Sequence, residues 1–215
     1  MEDLKYKIYE GVKLGKDYNI GDYSILGLSN KIDKQSKTII GNNAIIRSHT
    51  VIYNGNKIGD NFVTGHAAMI RENNIIGNNV SIGSHTVIEH SVKIADYVRV
   101  HSQAFIPEYT VIEYGVWIGP RVCITNAKYP ASINSKEYIE GVTLKYKARI
   151  GASVTILPGI VVNQEALIGS GAVITKDVPA YAVIVGNPGK IVGDIRELKY
   201  PDSDKIKPYD VDELL

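Results

Sequence analysis

Isoleucine recurs at every sixth residue through the middle of this chain, and that spacing decides most of what the chain can become. Stepping by six from Ile40 reaches Ile46, Ile52, Ile58, Thr64, Ile70, Ile76, Ile82, Ile88, Ile94, Val100, Ile106, Ile112 and Ile118. Twelve of those fourteen positions are Ile, where 31 Ile among 215 residues would place about two by chance. An earlier block runs Ile8, Leu14, Ile20, Leu26 and Ile32, and two extra residues shift the phase before Ile40. Ile124 continues the main block. After an interruption the pattern returns at Leu144, Ile150, Ile156, Val162, Ile168 and Ile174.

A period of six fits neither a 3.6-residue helix nor a hairpin meander. Counting the repeated aliphatic as position one, position five is small or β-branched: Ala44, Thr50, Ala68, Val80, Thr86, Ala104, Thr110, Val116. Strand alternation puts positions one and five on the same side. Position two is often Gly (Gly41, Gly59, Gly65, Gly77, Gly83, Gly119), and positions three and four are often Asn, Asp, Ser or Gly, residues that tolerate a corner. Each hexad reads as a short strand plus a corner. Stacked hexads make a solenoid whose flat faces are parallel sheets. The composition agrees, with 31 Ile and 21 Val against 10 Leu, a bias toward strands rather than helices.

Several classes drop out. A formal net charge of +1 without a basic run argues against nucleic acid or an acidic membrane surface as the main partner. One cysteine, Cys123, cannot make a disulfide framework or a cysteine-based zinc site. No 18-residue apolar run exists and MEDLKYKIYE has no apolar signal core, so the expected address is the cytoplasm.

The hexad fails from Thr125 to about Val142, a polar stretch that must leave the prism as a loop, and loops on rigid scaffolds often carry function. The sequences around it, VWIGPRVCITNAKYP and then RIGASVTILPGIVVNQEALIGSGAVITKDVPAYAVIVGNPGKIVG, together with the Ile-Gly-x-x-small-x pattern, resemble the hexapeptide-repeat acyltransferases. The nearest resemblance is to the nucleotide-sugar N-acetyltransferases. It implies an all-β fold, a left-handed parallel β-helix of 18 residues per coil, with one protruding loop and a short C-terminal helical or irregular cap. The β-helix domain is expected over 1–190, with the insertion at about 125–142, and the cap and tail over 191–215. The tail after Pro201 is expected to be mobile. The resemblance also implies a homotrimer with acetyl-CoA in a groove between neighbouring prisms, and no metal.

For the cofactor, Gly151, Ala152, Gly169 and Ser170 would keep the wall low enough for pantetheine to reach the backbone. Lys176 and Lys190 are the candidates for the CoA phosphates. For the chemistry, acetyl transfer needs a nucleophile near the thioester, a place for its proton and a donor for the oxyanion. His49, His66 and His85 share one edge of the prism with Ser48, Ser84 and Ser102. His101, at position two between Gly83 and Gly119, is expected to have open space above and below its ring. His101 and His85 are the catalytic candidates, with His66 and Ser102 on the substrate side. His90 stands on another edge, in the column Asn54, Glu72, His90, Glu108, Asn126. Two carboxylates one coil away suit an oriented base, and they suit a surface charge ladder equally.

Asn126 opens Thr125-Asn126-Ala127-Lys128-Tyr129-Pro130, which resembles the "TN(x)xYP" segment of the sugar N-acetyltransferases. Asn126, Tyr129, His90 and Glu108 are therefore taken as substrate-binding. Related O-acetyltransferases carry a histidine where this chain has Tyr129. A neutral amine needs no base at the outset, so an amino sugar linked to a nucleotide is the expected acceptor. His-Ser-Gln at 101–103 departs from the Gln-Asn-Asn of several relatives and leaves the acceptor's identity open. The alternatives are an O-acetyltransferase of a sugar or serine hydroxyl, a γ-class carbonic anhydrase using His85 and His90, and a non-catalytic scaffold.

Overall fold

The computed structural model describes residues 6–29, 36–202 and 207–209. Among them, short strands stack into three sheets, parallel except for the last strand, that form the faces of a left-handed β-helix. One sheet has nine strands, from Lys7–Ile8 to Val173–Ile174. A second has eight, from Val12–Leu14 to Val161–Val162. The third has ten, from Asn19–Ile20 to Lys190–Asp194. Strands one coil apart pair in register: Ile52 opposes Ile70, Ile70 opposes Ile88, and Ile88 opposes Ile106. No helix among the described residues is long and apolar enough to cross a membrane.

Positions one and five face inward and fill the prism. Ile46, Ile52, Ile70, Ile88 and Ile106 are fully buried, as are Ala44, Thr50, Val80, Thr86 and Thr110 between them. Each buried aliphatic contributes about 1.5–3 kcal/mol of transfer free energy. The many identical layers replace the single large core of a globular domain.

The corners divide two jobs that the sequence reading had merged. Position four carries the left-handed backbone whatever its side chain: Asn61 at φ 57°, His85 at 56°, Tyr97 at 60°, Arg121 at 60°. That conformation aims each position-four amide at the preceding coil, as in His85 N donating to His66 O at 2.9 Å and Gln103 N to Ser84 O at 2.9 Å. Position-two glycine serves stacking instead. A Cβ on Gly119 would lie 2.8 Å from Ala152 N, and one on Gly151 2.6 Å from Ile168 O.

Two insertions break the prism. Leu14 pairs with Ile40 and Ile20 with Ile46, so eight residues, not two, are added between Leu26 and Ile40. Ile32, read above as a hexad position, lies outside the described residues. Later, Ile112 opposes Leu144 and Ile124 opposes Ile156, an addition of fourteen residues. These form the loop, pinned by an antiparallel bridge between Ala127 and Ile139 and carrying a 3-10 turn at Ser135–Tyr138. At the C-terminal end the cap begins as a strand: Lys190–Asp194 folds back antiparallel on Ala182–Val185. One 3-10 turn, Ile195–Glu197, follows, with Asp194 accepting from Arg196 N at 2.9 Å.

Candidate functional site

The candidate residues fall on two different edges of the prism, separated by the nine-stranded sheet. His49, His66, His85, His101 and Ser102 occupy the corners that enter that sheet. His90, Glu108, Asn126 and the loop occupy the corners that leave it.

On the loop edge, three of the candidates are joined. Asn126 Nδ2 donates to Glu108 Oε2 at 2.6 Å, and Glu108 Oε1 lies 3.7 Å from His90 Nε2. His90 Nδ1 meets Ser91 Oγ at 3.2 Å, and its ring packs edge-on against Tyr109. Glu72 does not share His90 as the column suggested. It receives Arg71 through two hydrogen bonds, at 2.8 and 3.0 Å, while Arg71 also reaches Glu89 at 3.1 Å. Burial raises the Glu89 carboxyl above its ordinary value, against the pull of Arg71. Tyr129 is held out in the loop, 66% exposed, with Lys128 Nζ 5.8 Å from its ring centre.

On the histidine edge, His85 and His66 are both exposed, and His66 Nδ1 bonds Ser48 Oγ at 2.8 Å. His101 differs from the open setting expected of it. Trp117, one coil on, lays its ring 4.7 Å from the imidazole, and Nε2 is buried without a hydrogen-bond partner. Only Nδ1 is left to exchange a proton with a ligand. Burial first, and the nearby Arg99 charge second, hold the His101 pKa below its ordinary value. Protonating the ring therefore disfavours the fold. Stability present above pH about 6.5 is lost as the pH falls below it. His101→Phe keeps the packing and removes the titration, so its thermal midpoint should drop less than wild type's between pH 7 and pH 5. Equal drops in the two proteins would rule this out.

Toward the C-terminus, Gly151, Ala152, Gly169 and Ser170 stack on the corner column that also holds His101, and Ala152 N donates to Ser170 Oγ at 3.2 Å. Beside them a cavity of about 330 Å³ is walled by Trp117, Arg149, Leu167 and Tyr209, with Arg149 4.5 Å from the Tyr209 ring centre. Tyr209 is among the few described tail residues, and it packs against the prism there; the rest of the tail expected to be mobile lies largely outside the described residues. Lys176 lines a cavity of about 260 Å³ with Gly189, and Lys190, exposed, opens the returning strand. His85 and His90 stand on different corners, and no three His, Cys, Asp or Glu among the described residues gather as a metal site.

Residues that the hexad reading passed over also shape these surfaces. Arg47 and Arg99 line one surface cavity, Arg99 and Trp117 line the next, and each occupies an outward or corner position of its hexad.

Residues 75–108 match the family described as bacterial transferase hexapeptide (six repeats). That match agrees with the register and the three sheets, and marks residues 75–108 as a run of hexapeptide repeats. The chain is similar to a galactoside O-acetyltransferase of Lactococcus lactis, 31% identical over 101 residues, covering 45% of this chain and 49% of that protein. It is also similar to a dTDP-3-amino-3,6-dideoxy-alpha-D-galactopyranose 3-N-acetyltransferase of Aneurinibacillus thermoaerophilus, 36% identical over 67 residues, covering 29% and 35%. The matched stretch spans half or less of the length of these curated relatives. Among solved structures, the UDP-N-acetylglucosamine acyltransferase of Campylobacter jejuni aligns at 21% identity, covering 93% of this chain and 78% of that one, with a TM-score of 0.47.

Proposed function

We propose that this hexapeptide-repeat protein is an acetyl-CoA-dependent N-acetyltransferase acting on a nucleotide-linked amino sugar. The observation that carries the acceptor class is the Asn126–Glu108–His90 chain at the root of the loop. An amino sugar arrives as an ammonium ion, and a half-buried carboxylate is a fitting group to hold it and take its proton. The neutral nitrogen then attacks the thioester carbonyl, a C–N bond forms, the C–S bond breaks, and CoA leaves as a thiolate that can accept the amine's remaining proton. The two similarities to acetyltransferases of sugars support the acyl group and the sugar, and the column of small residues Gly151, Ala152, Gly169 and Ser170 beside the Trp117–Arg149 cavity is where a pantetheine track would lie.

In this reading the two edges complete one site across copies, the His101 edge of one prism meeting the Glu108 edge of a neighbour in a homotrimer. The domain division at 190 and the roles of His85, His66, Ser102, Tyr129, Lys176 and Lys190 belong to the same proposal. A second reading, an O-acetyltransferase, draws on one observation: His90 beside Glu108 has the orientation a hydroxyl's general base needs.

The test is acetyl transfer from acetyl-CoA to a panel of dTDP- and UDP-amino-sugars and to plain sugars, read by thiol release and product mass. An acetyl group gained by an amino sugar is the expected result. Gain only on hydroxyl acceptors would favour the second reading, and a protein that binds no CoA by calorimetry would sink both.

A further inference from the structure

We propose that the outer face of the ten-stranded sheet binds a nucleoside diphosphate group, with Arg47 and Arg99 holding the diphosphate and the neighbouring aromatic cavity holding the base. The proposal rests on the acceptor reading above only for what hangs from the diphosphate.

The charges single out the place. The chain has six arginines and a net charge of +1. Arg71, Arg149 and Arg196 pair with carboxylates, and Arg121 bonds Gln103. Arg47 and Arg99 have no carboxylate partner among the described residues, and both line one cavity of about 280 Å³ that contains no Asp or Glu. Two unneutralised guanidiniums converging on one hollow form an anion site, because each offers a planar fork of donors.

The hollow is built by the coil geometry. Arg47 and His101 occupy corner position two, with Gly65 and Gly83 on the two coils between them. A Cβ on either glycine would strike the backbone of Ser84 or Ser102, so the floor cannot rise without moving a coil. Three coils at the strand spacing put about 14 Å between Arg47 and His101. Arg99 lies on the same coil as His101, so Arg47 and Arg99 line the hollow from its two ends, a span that suits a diphosphate rather than a single phosphate.

A second cavity adjoins the first. It measures about 440 Å³ and shares Val63, Ser81 and Arg99 with it, so Arg99 stands on the boundary of the two. Its far side carries Tyr97, 56% exposed and propped 5.2 Å from Tyr114, and the edge of Trp117. Exposed aromatic faces beside a cation suit a flat base joined to phosphate. Across the sheet the order is then base at Tyr97, diphosphate at Arg99 and Arg47, and sugar toward His101. The same corner column leads on through Gly119 to Gly151 and Gly169, so acceptor and acetyl donor would approach His101 from opposite ends.

The test uses the full chain in calorimetry at low salt, with inorganic phosphate, pyrophosphate, dTDP, UDP and CoA as probes. Pyrophosphate should bind more tightly than phosphate, and dTDP or UDP at least tenfold more tightly than pyrophosphate. The double variant Arg47→Gln/Arg99→Gln should weaken pyrophosphate and nucleotide at least tenfold and leave CoA affinity unchanged. Tyr97→Asn, which keeps a residue suited to the left-handed backbone, should weaken dTDP or UDP and spare pyrophosphate. All three positions are exposed, and an unchanged thermal midpoint verifies the fold. Absence of pyrophosphate and nucleotide binding at millimolar concentrations, or nucleotide affinity within twofold of wild type in the double variant, would overturn the proposal. So would displacement of pyrophosphate by CoA but not by dTDP or UDP, since the anion would then be the cofactor's. Nucleotide binding without CoA binding would leave this site standing and remove the acetyl-transfer reading.

Discussion

Glu108→Ala is expected to lower kcat for the amino-sugar acceptor by about 100-fold or more, within the range for removing a positioned proton acceptor. Glu108 is the joint of the loop-edge chain: one oxygen takes the Asn126 amide, and the other faces His90. Removing it takes away the counter-charge for an ammonium and frees both neighbours at once. Glu108→Gln separates these roles, because an amide can still bond a neighbour but carries no charge. If Glu108 accepts the proton, the Gln variant should be nearly as slow as the Ala variant at pH 7. It should recover partly at higher pH, where more of the amine arrives neutral. The KM for acetyl-CoA should stay within about twofold in both, since the proposed pantetheine track at Gly151 and Gly169 lies on another edge. If Glu108→Ala keeps activity within threefold, the carboxylate is part of a charge ladder with Arg71, Glu89 and His90, and the acceptor site lies elsewhere.

The architecture was legible because its strongest signal is also its core. Each Ile at a sixfold step from Ile40 to Ile124 becomes a buried position-one residue, and the strand pairings repeat every 18 residues as the hexad count requires. The error before Ile40 has an arithmetical cause. An insertion of eight residues shifts a six-residue phase by two, and Ile32 happens to stand six beyond Leu26. The same counting sorted the candidate histidines onto their edges, so the separation of His101 from His90 could be read before any coordinates. Lateral choices could not. Whether Glu72 turns to His90 or to Arg71 depends on side-chain reach within one corner, which periodicity does not encode. Trp117 over His101 comes from the outward strand position of the next coil, which the buried sixfold register leaves free to vary. Tyr209 on Arg149 joins residues with no periodic relation, so no signal in the repeat pointed to it.

Asn74→Ala should destabilise the protein by about 3 kcal/mol, combining a buried amide left without an acceptor with the lost side chain. Position five holds Ala, Thr or Val in most coils, yet here it holds Asn56 and Asn74, both fully buried. They form a ladder across coils at the corner that carries Arg71 and Glu72. Asn56 Oδ1 accepts from Asn74 N at 3.0 Å, and Asn74 Oδ1 accepts from Val92 N at 2.7 Å. Their amide groups donate inward, Asn56 to Tyr53 O and Arg71 O and Asn74 to Arg71 O, each at 2.8 Å. Alanine at 74 leaves the buried Val92 N–H without its acceptor and Arg71 O with one donor instead of two. Water cannot easily replace them, because position five faces a close-packed core. The fitting control is Asn42→Ala. Asn42 makes the analogous coil-to-coil bond, accepting from Lys16 N at 2.9 Å, but does so exposed to solvent, and its loss should cost under about 1 kcal/mol. Urea unfolding of the two variants beside wild type makes the comparison. If Asn74→Ala costs no more than Asn42→Ala, the buried ladder is replaceable, and the placement of Arg71 must come from its ion pairs with Glu72 and Glu89.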